Sequence, residues 1–183
     1  HIISDELYVT NHPVMLTNNA TNDIQNMPRW ISEWLKKKFI KNENKNLNFS
    51  KKIYIDREDS TSNVKHLRSI INEKEIKQFL LKEGFQIIKL GNLHFNDQVL
   101  AFNNADIIVG LHGAGFANIP FCKPNTKIVE LSSKTSGKMI ENLAIKNNLI
   151  HRPLSCEAIR MDYSNQLGHI NVPIKTLGEI LNN

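Results

Sequence analysis

The sequence predicts an α/β domain built on an open, doubly wound parallel sheet of Rossmann type. Two observations carry this. Short apolar runs recur along the chain, "KIYID" (52–56), "FQIIKL" (85–90), "DIIVGL" (106–111), "KIVELS" (127–132) and "LIHRPL" (149–154), with helix-compatible segments between them. Strands alternating with helices at this spacing read as parallel βαβ units. The runs are also mostly continuous rather than alternating apolar and polar, as expected of strands covered on both faces.

The elements follow in order. "ELYVT" and "PVML", within residues 6–16, are strand-like and lead into a polar Asn/Thr-rich loop. In "MPRWISEWLKKKFIKN" the residues Trp30, Ile31, Trp34, Leu35 and Phe39 recur at helical spacing, and Pro28 suits a first turn. The two tryptophans are read as core or domain-contact residues in preference to sugar-stacking platforms. Residues 1–50 form a lead-in or inter-domain segment, and 51–183 form the main domain. After the first strand, 57–71 is a polar loop with an apolar end. "NEKEIKQFLLKEG" carries Asn72 as a cap, Glu75 three residues on, and Gly84 to close the helix. "NDQVLAFNNA" (96–105) is a short helix capped by Asn96. The third strand runs into His112-Gly113-Ala114-Gly115 and a helix to about Phe121. "GKMIENLAIKNN" is a helix, and "VPIKTLGEILNN" closes the chain with one begun at Pro173.

Composition sets bounds. The 183 residues are 40% hydrophobic and 22% charged, as in an ordinary globular protein, and no apolar run approaches bilayer-spanning length. The chain starts at His1 and reads as a piece of a longer protein. Net charge is +5, with much of the excess between Lys36 and Lys52. That run is a solvated face or a weak attraction to an anionic membrane surface, so peripheral membrane association is the functional alternative. The lysines are not interleaved with stacking aromatics, which argues against nucleic acid as a partner. Cys122 and Cys156 are far apart and form no metal-ligand spacing. Two buried thiols favour a reducing, cytoplasmic compartment. The Asn-x-Ser/Thr triplets at Asn19 and Asn48 are what so Asn-rich a chain carries by chance.

Ligands of such sheets bind beyond the carboxyl ends of the strands. That rule selects Asp56-Arg57, the His112–Gly115 turn, and Glu130 to Ser133. Gly113 and Gly115 permit unusual backbone and close ligand approach, and the next helix aims free amides at an anion. The turn lacks the P-loop Lys-Ser/Thr and the GxSxG elbow. His112 is either a structural histidine or a hydrogen-bonding or basic group at the ligand. Arg57 and Arg68 are either salt-bridged to nearby carboxylates or a bidentate clamp on a diphosphate. Glu130 is either a solvated strand end or an acceptor for ribose hydroxyls. A nucleotide-sugar epimerase is disfavoured, since the first strand lacks a GxxGxxG turn and no Tyr-x-x-x-Lys pair occurs.

Arg57, "RSIINE" (68–73) and "NDQVLAFNNADIIVGLHGAGFANIPFCKPNTKIVEL" (96–131) together resemble glycosyltransferase family 61. That family includes bacterial capsular-polysaccharide biosynthesis proteins, plant xylan transferases and eukaryotic protein O-glycan transferases. The shared pattern is Arg…Arg-x-x-x-Asn-Glu, Gln-Val, Gly-x-His-Gly-Ala-Gly-x-x-Asn and Pro…Glu, and "HINVPIKTLGEIL" resembles the closing segment. The resemblance implies an inverting GT-B enzyme, with this chain as its C-terminal, donor-binding half. The donor is a nucleoside-diphosphate sugar, the acceptor a glycan or glycolipid, and the setting capsular or other surface polysaccharide synthesis; a eukaryotic member would sit in the Golgi or ER lumen. By position, Arg57, Arg68, His112, Gly113, Ala114, Gly115, Asn118 and Glu130 are the donor-site residues. The catalytic base is unassigned, with His112 a candidate, and is expected in the N-terminal domain of the same protein. That domain is expected to be missing here, leaving this chain weak or inactive alone, or a nucleotide- or glycan-binding module without turnover. No Asp-x-Asp motif is present to hold a metal, and no cofactor is required. One departure is Asn125-Thr126, where the family usually has a glycine after the proline.

Overall fold

A computed structural model describes residues 17–40, 48–58, 68–160 and 168–182. The strand-like pieces expected within residues 6–16, the middle of the basic run (41–47) and most of the 57–71 loop lie outside the described residues. The five expected strands form one parallel sheet: β1 (Lys52–Asp56), β2 (Gln86–Lys89), β3 (Ile107–Leu111), β4 (Lys127–Ser133) and β5 (Ile150–Cys156). Their spatial order is β2-β1-β3-β4-β5. The chain therefore winds outward from β1 in one direction to β2, then crosses to β3 and continues the other way. The gap between the carboxyl ends of β1 and β3 is the point where the winding reverses, the place where such sheets hold ligands.

The apolar runs separate by strand parity into two cores. Ile53, Ile55, Ile108 and Ile128 face one side, where α4 (Phe95–Asn104) contributes Phe102 and a 3-10 helix (Ala114–Phe121) contributes Phe116. Tyr54, Val109 and Val129 face the other, under Leu80 of α3 (Glu73–Lys82) and Leu177 of α6 (Ile174–Asn182). Burial of both faces supplies the hydrophobic stabilisation that a two-sided apolar strand predicts. The first side is completed by α1 (Ala20–Asn26), α2 (Arg29–Phe39) and α5 (Met139–Lys146). Ile24 and Met27 beside α1 and Leu35 and Phe39 of α2 pack against that core.

Several elements differ from expectation, each for a local reason. The Asn/Thr-rich stretch forms α1 because the Asn19 side chain accepts from the amides of Thr21 and Asn22, a strong helix N-cap. Trp30 and Trp34 are 55% and 53% exposed, which removes the core alternative of their reading and leaves the domain-contact one. In α2 the core-facing stripe passes through Ser32, Leu35 and Phe39, which leaves the tryptophans on its flank. The caps at Asn72 and Asn96 do not form. The Asn72 side chain clasps the backbone of Val172 instead, donating to its carbonyl (2.9 Å) and accepting from its amide (3.0 Å). His94 is the N-cap of α4. The segment after the glycine turn is a 3-10 helix, and it contains Pro120, which has no amide to donate. A short antiparallel pair, β6 (Ala158–Arg160) and β7 (His169–Ile170), escaped the sequence pattern because strands of two or three residues leave no periodicity to read.

Asn125 adopts φ +68°. That left-handed conformation favours glycine, and asparagine tolerates it best among the other residues. The departure from the family's glycine therefore keeps the turn, and the Asn125 amide donates to the Asn148 carbonyl at 2.8 Å. Gly84, at φ +82°, closes α3 as expected.

Candidate functional site at the strand carboxyl ends

Arg57 follows the last residue of β1 and reaches across the switch point to β3. Its Nη1 donates to the carbonyl of His112 at 3.2 Å. Gly113, at φ +153°, leaves room for this: a Cβ there would lie 3.1 Å from Arg57 Nη1. The absent side chain of Gly115 faces the protein instead, since a Cβ would meet Ile55 Cγ2 at 3.0 Å. Gly115 thus lets the 3-10 helix settle onto β1, while Gly113 seats the Arg57 guanidinium. Gly113→Ala should cost about 1–3 kcal/mol, from backbone strain together with displacement of Arg57. Urea unfolding of the variant would measure it, and an unchanged midpoint would rule out this seat.

Arg68 comes from the segment before α3. The Ile71 amide donates to the Ile170 carbonyl at 2.8 Å, and the Ile170 amide donates to the Ser69 carbonyl at 2.9 Å. Ser69 Oγ also lies 2.7 Å from His169 Nδ1. These contacts with β7 fix the backbone on either side of the arginine's neighbour. The guanidinium Nε and Nη1 are buried and have no hydrogen-bond partner among the described residues. Burial and the charge of Arg57 lower the Arg68 pKa, and Glu130 opposes them. A buried cationic donor without an acceptor is costly and is the exception in folded proteins. It borders a cavity of about 200 Å³ lined by Arg57, Arg68, Ser69, Glu73, Lys77 and Leu111, among others.

Neighbouring charges are already engaged. Asp56 is buried, accepts from Lys77 Nζ at 2.9 Å and from the Glu58 amide at 2.9 Å. Glu73 accepts from the Tyr54 hydroxyl at 2.9 Å and lies 3.6 Å from Lys77. Burial, with Glu73 adding to it, pushes the Tyr54 phenol far above its ordinary value. These carboxylates brace the cavity wall on β1 and α3.

The other face of the sheet carries a buried cluster. His112 is 1% exposed and Glu130 is 4% exposed. His112 Nδ1 pairs with Glu130 Oε1, and His151 Nε2 lies 2.7 Å from Glu130 Oε2. Glu130 is not a solvated strand end: it is buried, and each of its oxygens faces a histidine ring. β4 continues to Ser133, with Ser132 and Ser133 paired to Ser155 and Cys156, so Glu130 lies inside the strand. Burial raises the Glu130 pKa, but the hydrogen bonds and charges of the two histidines outweigh it and hold the carboxyl below its usual value. An ionised Glu130 only accepts, so His112 donates from Nδ1 and His151 from Nε2. His112 Nε2 is then the ring nitrogen that Glu130 does not engage.

The family model of Glycosyltransferase 61 matches residues 2–129, more than half of the chain. The chain belongs to glycosyltransferase family 61. A beta-1,2-xylosyltransferase of Arabidopsis thaliana is 31% identical over 98 residues, covering 44% of this chain and 18% of the relative. The chain thus spans less than a fifth of that relative's length.

In this family 61 chain the motif residues separate by placement. Arg57, Gly113 and the His112 carbonyl meet at the switch point, with Arg68 beside Arg57 and His112 joined to Glu130. Ala114 opens the 3-10 helix, where amides in the first turn lack partners within the helix. Asn118 stands apart: its Nδ2 donates to Gln98 Oε1 at 2.8 Å, and Gln98 donates to the carbonyls of Leu90 and Leu93. The Gln-Val and Asn pieces of the motif therefore meet as a brace between α4 and the 3-10 helix.

His151 was not among the sequence candidates. Its signal is strand parity: it shares the face of Ile128, its partner in register, and so lies on the Glu130 side. It also lines a second cavity of about 170 Å³ with Ser132, Ser133, Ser136, Lys138 and Ser155. Among the described residues no three His, Cys, Asp or Glu side chains are placed to hold a metal ion. No described helix is long and apolar enough to cross a membrane. Both cysteines are free and buried, and burial pushes Cys122 up to about 12.

Proposed function

We propose that this chain is the donor-binding part of a glycosyltransferase that takes a sugar from a nucleoside diphosphate and delivers it to a glycan or glycolipid hydroxyl. The observation that carries the reading is Arg68, beside Arg57 at the switch point, whose buried Nε and Nη1 have no partner among the described residues. Two guanidiniums at such a place suit a diphosphate, which accepts charge-assisted hydrogen bonds from the buried donors of Arg68 and gains from the charge of Arg57.

The reaction we assign is direct displacement with inversion in a GT-B arrangement. The acceptor oxygen attacks the anomeric carbon, the bond to the diphosphate breaks, and the acceptor proton passes to a base supplied by another part of the protein. Negative charge grows on the leaving diphosphate. Arg57 and Arg68 stabilise it as preorganised charges, with the first amides of the 3-10 helix contributing. His112 Nε2 serves as a hydrogen-bonding atom toward the donor. We place the activity in surface polysaccharide synthesis at the cytoplasmic side of a membrane, with no metal required. Family membership supports the transfer chemistry, and the relative's printed name supports including a pentosyl donor among the probes.

A thermal-shift panel of nucleoside diphosphates and their sugar conjugates, UDP-xylose included, tests the assignment. Ligand that binds only the folded state raises the melting temperature by mass action, about 2.7 kcal/mol at a hundredfold excess over Kd. Stabilisation by one base identifies the donor class. No shift with any nucleoside diphosphate at millimolar concentration would refute the diphosphate seat. Binding without turnover by the longest native polypeptide would favour a nucleotide-binding module instead.

A further inference from the structure

Two histidines share one buried carboxylate, and only one of them stands next to the switch point. His112 leaves the end of β3, where its carbonyl receives Arg57. His151 sits on β5, beyond β4, and its side chain is 11% exposed where it borders the serine-lined cavity. Between them Glu130 uses one oxygen for each ring. We infer that His151 is a positioning residue for His112, acting through Glu130, and that this chain fixes the His112 ring with Nδ1–H toward the carboxylate, leaving Nε2 as the nitrogen that Glu130 does not engage. The inference rests on the proposed donor site, and it adds a residue outside the motif that carried the family resemblance.

The physical case runs through the carboxylate. A buried carboxylate with a single donor is free to rotate about its last torsion, and it is poorly compensated for lost hydration. A second donor on the other oxygen removes both problems. It fixes the carboxylate plane, and it keeps Glu130 ionised so that it demands a proton from His112 Nδ1. Second-layer carboxylates that select a histidine tautomer work in this way at metal and hydrolytic sites. His151 supplies the same service one step further out. The donor is Nε2, the far nitrogen of the ring, so the geometry specifies which replacements can substitute for it. A glutamine amide reaches about as far as Nε2, while an asparagine amide reaches only as far as Nδ1.

The charged and titratable groups around the cluster are few. Arg57 approaches from β1 and Arg68 from the segment before α3. Lys134, Lys138 and Glu141 come from the end of β4 and the start of α5, around the second cavity. Lys134 pairs with Glu157, and Lys138 lies 3.8 Å from Glu141. Arg68 favours an ionised Glu130, and among the described residues none of the others touches the carboxylate.

The test is the tautomer of the neutral His112 ring by ¹H–¹⁵N NMR together with a pH titration of the Glu130 carboxyl by ¹³C NMR, both on the full chain. The variants are His151→Phe, His151→Gln and His151→Asn, each checked for folding by its thermal melt. In the unaltered chain the neutral His112 ring is expected to carry its proton on Nδ1 while Glu130 is ionised. His151→Phe keeps the ring volume and removes the donor, and should raise the pH at which Glu130 protonates by about one pH unit or more and leave neutral His112 as a mixture of tautomers. His151→Gln should restore the original midpoint and His151→Asn should not. A midpoint and tautomer identical in the unaltered chain and the Phe variant would overturn the inference, as would a Gln variant that behaves like Phe. If Phe fails to fold, the contrast between Gln and Asn decides alone. Nucleoside-diphosphate binding by calorimetry on the same samples keeps the two claims apart. Absence of binding in the unaltered chain removes the donor-site reading, while the titration still reports on His151.

Discussion

Arg68→Met is expected to make the protein more stable and nearly blind to nucleoside diphosphate. Both effects come from one observation, the burial of Nε and Nη1 without partners among the described residues. A buried unsatisfied polar group costs roughly 1–3 kcal/mol, and Arg68 as a whole is only partly buried, so solvent screening brings the expected gain down to about 1 kcal/mol. In a chain of this length that raises the melting temperature by about 2–4 °C. Methionine keeps much of the alkyl volume, so the arginine stem's packing is largely preserved. The same change removes charge-assisted hydrogen bonds to the phosphates, worth about 1.5–3 kcal/mol, so binding should weaken by roughly 10- to 100-fold. Differential scanning calorimetry and isothermal titration check the two halves. Unchanged affinity would remove Arg68 from the site. A lower melting temperature would mean that the stem's packing outweighs the cost of the unpaired head. Stability given up at a ligand site is what selection for function tolerates, and here the place of that trade is a single side chain.

Most of the sheet was legible because burial on both faces writes continuous apolar runs, and every such run became a strand within a residue or two. The switch point was legible for the same reason: chain order and the reversal rule located it beside Arg57 and His112. What the sequence left open was which side of each strand a polar residue occupies. Glu130 looked close to a strand terminus because the apolar run ends at Leu131, whereas the ladder of Ser132 and Ser133 with β5 carries the strand past it. His151 sat in a run with Arg152 and Pro153 and gave no reason to choose it; only the register of β5 on β4 brings it to Glu130. Trp30 and Trp34 fell at helical spacing with Leu35 and Phe39, but the apolar set in α2 is wider than one face. The core accepted the half that fitted against Phe121 and Phe95, where Phe39 makes edge-to-face contacts at 6.4 and 5.2 Å. The glycines were legible as a turn and not in their duties, because the sequence does not show which neighbour fills the space where a Cβ would stand.

Glu130→Gln should remove a component of stability that depends on pH. The carboxyl is held below its ordinary value of 4.5: burial opposes ionisation, but the hydrogen bonds and charges of His112 and His151 win. A carboxyl depressed in the folded state binds fewer protons there than in the unfolded chain. Its stabilisation is therefore fully present above about pH 4.5 and is lost as pH falls through the folded-state value. Glutamine offers one acceptor and one donor where glutamate offered two acceptors. One histidine must then turn its lone pair to the amide and move its proton to the other nitrogen, or lose its partner. The expected cost at pH 7 is about 1–3 kcal/mol in urea unfolding. The gap between the two proteins should close as pH drops below about 4.5, since the native carboxyl then becomes neutral as well. Parallel stability curves from pH 7 to pH 3 would show that the charge of Glu130 contributes nothing. The variant also separates the two arms of the site. Arg57 and Arg68 lie on the diphosphate side and keep their positions, so nucleoside-diphosphate affinity should fall far less than in Arg68→Met. The rate of sugar transfer by the longest native polypeptide should fall more, because His112 would no longer be held in one tautomer.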